Sequence, residues 1–267
     1  KSVPVAYGCM RTSTSLQEIK SLFSFFYNII ILRHKDSRPH RPLSRELLIP
    51  TVLGMIFSAI FIITDGIFVG KGIGSDALAA VNITAPLFLI NTGVALMFGI
   101  GASVVASIHL SQGKVKVARI NITQAVVVSS LLLIAYAAVI LCNVEKIALL
   151  LGSSPRLLPL ATEYMHWFVP FLVFSALLSS GMFFVRLDGS PNYAMVCNII
   201  PALLNIGLDY LFIFVFKWGM FGAALATSLG YIVGALMILI YLMQPHRVLH
   251  LCKVKLSSKS LRLTLRN

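Results

Sequence analysis

The chain is poor in charged residues, and acids are the scarcest of them. Of its 267 residues only 12% are charged, nine are Asp or Glu, and 58% are hydrophobic, with a mean hydropathy of +0.89. A water-soluble domain of this length needs far more polar residues to cover its surface. The composition therefore excludes an ordinary soluble domain and predicts that lipid surrounds most of the chain.

Cysteine is also scarce, and its spacing excludes two classes of small site. A zinc knuckle or a disulfide framework needs cysteines at short, recurring intervals, whereas the four cysteines of this chain are far apart. Two of them lie inside apolar runs and are interpreted as small core residues. The four are Cys9, Cys142, Cys197 and Cys252.

Six long apolar runs occupy most of the sequence. A helix needs about 20 residues to cross the hydrocarbon core of a bilayer, and each run is near that length. Strands of a membrane barrel would alternate in polarity, and these runs do not. The sequence thus predicts an all-α membrane protein, a six-transmembrane-helix bundle. The predicted spans are 47–70, 78–108, 120–142, 161–186, 193–216 and 219–243.

These spans divide the chain into three parts. Residues 1–44 form a cytoplasmic or interfacial N-terminal segment, 45–243 the transmembrane lobe, and 244–267 a basic cytoplasmic tail. The N-terminal segment lacks the order of a signal peptide. Its apolar run Leu22–Leu32 is too short to span and is expected at the membrane interface. Because the sequence starts with Lys1, we expect an incomplete N-terminus.

Basic residues outnumber acids, giving a formal net charge of +13. Nucleic-acid binding is not predicted, because the Lys and Arg residues avoid the spans and lack the aromatic interleaving of a nucleic-acid groove. They collect on one side of the membrane, which in multi-pass proteins is the cytoplasmic side. We therefore expect both termini in the cytoplasm and a location in the plasma membrane, the bacterial inner membrane. The opposite side holds four basic residues, namely Lys71, Lys146, Arg156 and Lys217.

Two acids lie deep within predicted spans, Asp65 in the first and Asp209 in the fifth. A carboxylate in hydrocarbon is unfavourable, so such residues usually face the interior of a bundle and usually have a function. From the helical rise, Asp65 lies about 8 Å and Asp209 about 10 Å below the same membrane boundary. The two acids are predicted at nearly one depth.

Two further polar residues are predicted near this level. Asn205 precedes Asp209 by one helical turn on the same face, and Thr227 lies at a similar depth in the sixth span. Asn and Thr in spans also serve as links between helices, so that interpretation stays open. Oxygen ligands of this kind suit a hard cation, and a desolvated carboxyl group suits proton exchange. Either ion could compete with a cationic solute, which is the basis of an antiport mechanism.

Three stretches of the sequence resemble a known transporter family. They are IFSAIFIITDGIFVGKGIGSDALAAVNITAPLFLI and ALMFGIGASVVASIHLSQGK in the first two spans, and NIIPALLNIGLDYLFIFVFKWGMFGAALATSLGYIVGA in the last two. They resemble the multidrug and toxic compound extrusion (MATE) transporters, and the last stretch resembles the DinF-like subgroup. The resemblance covers roughly residues 44–267.

The resemblance implies a fold of twelve helices in two six-helix lobes around a central cavity, of which this chain is the N-terminal lobe. It implies that Asp65 is the principal carboxylate coupled to H⁺ or Na⁺, with Asn205, Asp209 and Thr227 as its partners, and as metal ligands if the ion is Na⁺. It implies cationic amphipathic substrates, the coupling ion instead of a cofactor, and no enzymatic activity. Residues 244–267 resemble the linker to a second lobe, so the sequence is interpreted as a fragment whose partner is a missing C-terminal half or a second copy.

Two alternatives remain open from the sequence. A lipid-linked saccharide flippase of the same superfamily would line its cavity with basic residues, whereas this cavity is expected to be acidic. An intramembrane aspartyl protease would also place two carboxylates at one depth. The Gly-x-Gly-Asp context typical of such proteases is missing at Asp65 and at Asp209.

Overall fold

The computed structural model describes residues 43–244 and 247–252. They belong to one compact unit, residues 42–267. The predicted N-terminal segment, through residue 42, and the tail from residue 253 lie outside the described residues, so the domain division stays a prediction. Within the described ranges every regular element is helical, which confirms the all-α fold class.

Eight α-helices follow one another along the described chain. A short 3₁₀ turn, Val169–Phe171, joins α5 to α6, and a π-helical segment, Tyr210–Val215, extends α7. The helices are α1 Leu43–Gly72, α2 Ser75–Ser111, α3 Val115–Cys142, α4 Val144–Leu150, α5 Leu158–Phe168, α6 Leu172–Leu187, α7 Pro191–Asp209 and α8 Gly219–Met243.

Six of these units are long and apolar enough to cross a membrane, which confirms the predicted span count. The fourth span consists of α5 and α6 together, and the fifth of α7 and its π-helical segment. The first three helices begin three to five residues earlier than predicted, and α8 matches its predicted bounds. The short helix α4 was not predicted.

Three spans contain a proline, and Pro170 coincides with a break in the α-helix. Pro170 lies in the 3₁₀ turn that separates α5 from α6. By contrast, α2 continues through Pro86 and α7 continues through Pro201. A proline removes one backbone donor, so the preceding turn of each helix keeps a carbonyl that needs another partner.

Glycines let neighbouring helices approach closely within the lobe. A Cβ atom on Gly99 of α2 would come within 2.9 Å of the Cα atom of Ser180 on α6. A Cβ atom on Gly234 of α8 would lie 2.8 Å from a methyl group of Leu178 and 3.0 Å from Pro201. Small residues at such crossings are typical of membrane helix packing. They bring α6, α7 and α8 together around the residues described next.

The two ends of the bundle are named here by their charge. The basic end holds the α2–α3 turn, the α6–α7 turn and residues 247–252, and the opposite end holds the α1–α2, α3–α4, α4–α5 and α7–α8 connections. At the opposite end, the Arg156 guanidinium donates to the Asp76 carboxylate from Nε at 2.9 Å and also from Nη2. This ion pair ties the α4–α5 loop to the start of α2.

Candidate ion-coupling site

The structure brings Asp65 of α1 and the last residue of α7, Asp209, together. Their carboxyl groups lie within hydrogen-bonding reach of each other. Asp209 is fully buried, and Asp65 is partly buried with its Oδ1 atom shielded. Helices α1 and α7 pack side by side, which is why acids 144 positions apart in sequence meet.

Asn205 and Thr227 complete the group. The Asn205 side chain is buried one turn before Asp209, and its Nδ2 donates to Thr227 Oγ1 at 3.4 Å. The Thr227 hydroxyl in turn donates to the Ala223 carbonyl at 3.1 Å within α8. The four residues predicted from the sequence therefore occupy one place, between α1, α7 and α8. We name this group the acid site.

Several buried oxygens of the acid site lack a hydrogen-bond donor among the described residues. They are Asp65 Oδ1, Asn205 Oδ1 and both carboxylate oxygens of Asp209. Across residues 51–244 and 247–252, neither carboxylate forms an ion pair with Lys or Arg. Buried acceptors of this kind are unfavourable unless a donor or a cation joins them. The site is therefore built to accept positive charge.

The oxygen atoms of the acid site indicate which kind of cation could bind there. Two carboxyl groups this close repel each other when both are ionised, and a single shared proton converts the repulsion into a hydrogen bond. Carboxylate, amide and hydroxyl oxygens also suit a hard cation. Over the described residues there is no group of three or more His, Cys, Asp and Glu side chains that could hold a metal ion. The donor set fits a proton or an alkali cation better than a transition metal.

Two tyrosines near the acid site were not predicted from the sequence. The buried side chain of Tyr164 on α5 lies near both acids, and that of Tyr231 on α8 lies near Asp65. Tyr231 also stacks on Phe88, with ring centroids 6.1 Å apart. A usable signal existed for Tyr231, because it follows Thr227 by one helical turn and so shares its face. Tyr164 carries no comparable signal.

A change of helix type begins directly after the acid site. Asp209 is the last residue of regular α-helix in the fifth span, and the π-helical segment starts at Tyr210. Inserted π turns occur often at functional sites, because they widen the helix and redirect the side chains of its last turn. Here the wider segment packs against the end of α1, where a Cβ atom on Gly72 would overlap the Ile213 side chain.

Comparison with known proteins gives consistent results. The model of the MatE family matches residues 21–211. The FAD transporter of Shewanella oneidensis is 29% identical over 218 residues, which are 78% of this chain and 47% of that protein. The multidrug export protein MepA of Staphylococcus aureus is 33% identical over 103 residues, which are 38% of this chain and 22% of that protein.

Solved structures show the same fold. A MATE crystal structure in complex with MaD3S is 26% identical and superposes with a TM-score of 0.75, covering 82% of this chain and 50% of that one. An outward-facing structure of a multidrug resistance MATE family transporter of the MOP superfamily gives the same identity and TM-score, covering 82% and 49%. The chain thus spans about half the length of these structures, consistent with one lobe.

The family match also bears on one of the two alternatives considered from the sequence, the intramembrane protease. Members of this family are multi-pass membrane transporters that use ion coupling and no cofactor, so the protease alternative is wrong. Membership of the DinF-like subgroup stays a prediction. From the match over residues 21–211 and the six-helix fold, the chain belongs to the MatE family of multidrug and toxic compound extrusion transporters.

Proposed function

We propose that this chain is the N-terminal lobe of a cation-coupled efflux antiporter, which exports cationic amphipathic compounds in exchange for H⁺ or Na⁺. The observation that carries this proposal is the contact between Asp65 and Asp209, with buried oxygens that lack donors. In this mechanism an entering cation neutralises the acid site and a cationic solute leaves. Competition for one pair of carboxylates couples the two movements.

The proposal includes a second six-helix lobe, because among the described residues the first span is covered less by the rest of the lobe than the other spans are. In an apolar 18-residue stretch of the first span 11% of the residues are buried, against 61% in such a stretch of the fourth. Large aliphatic side chains of α1 are exposed, with Ile62 and Ile63 at 65% and 61%. Transporter sites commonly lie between two such repeats, and rocking of one repeat against the other gives alternating access. The second lobe is either a C-terminal half or another copy of this chain.

The relatives favour two substrate classes. MepA is named for multidrug export, which agrees with a cationic xenobiotic as substrate. The FAD transporter matches a larger share of this chain, and FAD is an anion. An unpaired acid pair attracts cations and repels anions, so the acid site favours the first class. The same argument disfavours a lipid-linked saccharide flippase, whose pyrophosphate would need basic partners.

The proposed orientation places the basic end in the cytoplasm of a bacterial cell, with the protein in the inner membrane. In the predicted topology this end, together with the N-terminal segment and the tail, carries 18 of the 22 Lys and Arg residues of the sequence. Positively charged loops are retained on the cytoplasmic side during insertion. In this orientation the acid site lies nearer the outer surface.

The test is transport in vesicles that carry the chain together with a second six-helix lobe. We expect a lipophilic cation such as tetraphenylphosphonium to be expelled when a Na⁺ or H⁺ gradient is imposed, and FAD to be retained. Asp65→Asn is expected to abolish the gradient-dependent part of efflux. Glu145→Gln is the matched control, because Glu145 is an exposed acid on α4, away from the acid site.

Each outcome has a defined meaning. Gradient-driven efflux of the cation that is unchanged in Asp65→Asn would contradict the coupling role of this residue. Efflux of FAD without efflux of the cation would replace the proposed substrate class by a flavin nucleotide. Loss of efflux in Glu145→Gln as well would show that the assay responds to any change of charge.

A further inference from the structure

The segment that follows α8 folds back against the basic end of the lobe. Residues 247–252, named the strap here, lie outside the helices. The Leu251 N–H donates to the Leu242 carbonyl near the end of α8, at 2.8 Å. Leu249 is 1% exposed and belongs to the same hydrophobic core as Leu242. The strap is therefore held by burial as well as by hydrogen bonds.

Both carboxylate oxygens of Asp188, in the α6–α7 turn, accept hydrogen bonds, one from the strap and one from α8. The Leu249 N–H donates to Oδ1 at 2.8 Å, and the Tyr241 hydroxyl donates to Oδ2 at 2.8 Å. The same hydroxyl lies 2.8 Å from Ser190 Oγ, and the Arg247 guanidinium lies 4.2 Å from the centre of the Tyr241 ring. Hydrogen bonds to a carboxylate are stronger than those between neutral groups. Asp188 thus joins α8, the strap and the α6–α7 turn at one point.

Helix α3 holds the strap from the other side. Arg119 Nε donates to the Val248 carbonyl at 2.8 Å. The Cys252 N–H donates to Thr123 Oγ1 at 3.2 Å, and Thr123 is itself buried. The six residues of the strap therefore bond to α3, to the α6–α7 turn and to α8.

The acid site and the residue that links α8 to Asp188 lie on one continuous helix. Helix α8 runs without a break from Gly219 to Met243 and carries both Thr227 and Tyr241. These residues lie on one buried face, together with Gly234 and Ile238, and are about 21 Å apart along the axis. A movement of α8 as a unit that changes the contact of Thr227 must also move Tyr241 relative to Asp188.

We propose that the strap is a clasp closed by Asp188, and that it opens when α8 moves in response to the acid site. Asp188 is a positioning residue in this proposal, because it acts through Tyr241 and the strap and touches neither ion nor solute. The link to the acid site rests on the proposed function. The clasp itself does not, so the two can fail separately.

Cys252 provides a direct measurement of the clasp. In the full chain carrying Cys9→Ser and Cys142→Ser, reconstituted in lipid nanodiscs, the rate of Cys252 labelling by a maleimide reports opening of the strap. We expect Asp188→Ala to raise this rate by about tenfold or more, because two hydrogen bonds to a charged group are lost. Asp188→Asn, which keeps one acceptor oxygen, is expected to give a smaller increase.

Two controls separate opening of the clasp from unfolding. Cys197 is fully buried in the core and should stay unlabelled in every folded variant. Glu145→Gln, at the opposite end, should leave the Cys252 rate unchanged. An unchanged Cys252 rate in Asp188→Ala, with Cys197 still protected, would overturn the clasp.

The link to the acid site is tested in the same assay at one pH. Asp209→Asn removes one of the two carboxyl groups of the acid site, and we expect it to change the Cys252 rate by about threefold or more while Cys197 stays protected. An unchanged rate would overturn the link and leave the clasp standing. The converse result is a response of Cys252 labelling to Asp209→Asn while the unsubstituted two-lobe protein exports no cation in vesicles. That result would contradict the proposed function and support the clasp.

Discussion

Two partly or fully buried carboxylates of this lobe, Asp209 and Asp188, are treated in opposite ways. Asp209 is fully buried, and neither of its oxygens has a donor among the described residues. Asp188 lies in a turn, and both of its oxygens accept a hydrogen bond at 2.8 Å. A carboxylate with donors stabilises the structure around it, whereas a buried carboxylate without donors destabilises the fold. Only a carboxylate of the second kind would lower the free energy of the fold by pairing with a cation.

The number of donors to each carboxylate therefore separates a structural acid from an acid of a binding site. We call the bonds that Asp188 accepts from Leu249 and Tyr241 the joint; because both oxygens of Asp188 already have donors, a ligand has little to add there. In the proposed function, Asp65 and Asp209 keep buried oxygens without donors among the described residues, and an ion that pairs with them would bind more tightly for that reason. The predictions below test this difference at four positions, from the largest expected effect to the smallest.

Asp209→Asn should abolish function without loss of stability. The amide has nearly the shape of the carboxyl group but carries no charge to exchange, so gradient-driven efflux should fall by about tenfold or more. The variant no longer buries an unpaired charge, so its melting temperature in detergent should not decrease. Transport in two-lobe vesicles and thermal unfolding of the purified chain measure the two effects. A marked decrease in melting temperature would assign Asp209 to the structural class of Asp188.

Thr227→Val should give a smaller effect on both properties. The hydroxyl accepts from Asn205 and donates to Ala223, so its removal leaves the Asn205 amide unpaired and withdraws one oxygen from the acid site. We expect a loss of about 1–2 kcal/mol in stability and a few-fold weaker dependence of efflux on the coupling ion. Thr162→Val is the matched control, since that hydroxyl bonds to carbonyls of its own helix and lies outside the acid site. Equal ion dependence in both variants would remove Thr227 from the site.

Much of this arrangement could be read from the sequence, because lipid imposes strong rules on length and polarity. Six apolar runs gave six spans, and α8 lies between Trp218 and Gln244, where the apolar run ends. Counting the helical rise placed Asp65 and Asp209 at one depth, and the structure places their carboxyl groups in contact. Seven residues are too few to show a period, so α4 was missed.

The partners of these acids were harder to predict. A membrane helix can be apolar on its buried and on its lipid-facing side, so periodicity does not reveal that Tyr164 is buried near the two acids. The sequence does not indicate the bonds of Asp188, because its backbone partner Leu249 is 61 positions away. Pairings between a turn and a segment outside the helices depend on the folded topology, which neither depth nor spacing encodes.

Tyr241→Phe should weaken the joint and leave the acid site intact. The change removes the hydroxyl that binds Asp188 and contacts Ser190, and keeps the ring under Arg247. We expect a loss of about 1–2 kcal/mol in thermal stability, with gradient-driven efflux still present. Tyr210→Phe, at a ring that is 58% exposed, should cause no measurable loss. Complete loss of efflux in Tyr241→Phe would mean that the joint is part of the transport site.

Arg156→Gln should have the smallest effect. It tests a third class of carboxylate, the exposed and paired Asp76. Asp76 accepts two hydrogen bonds from Arg156, yet the side chains of Arg156 and Asp76 are 79% and 41% exposed. Water already solvates both charges, and side-chain entropy is lost in pairing them, so the variant should lose no more than about half a kcal/mol. The difference in melting temperature should vanish in about 1 M salt, where exposed charges are screened. A larger, salt-independent loss would show that the pair is shielded in the membrane-bound protein, and burial would then matter more than the number of donors in separating Asp76 from Asp188.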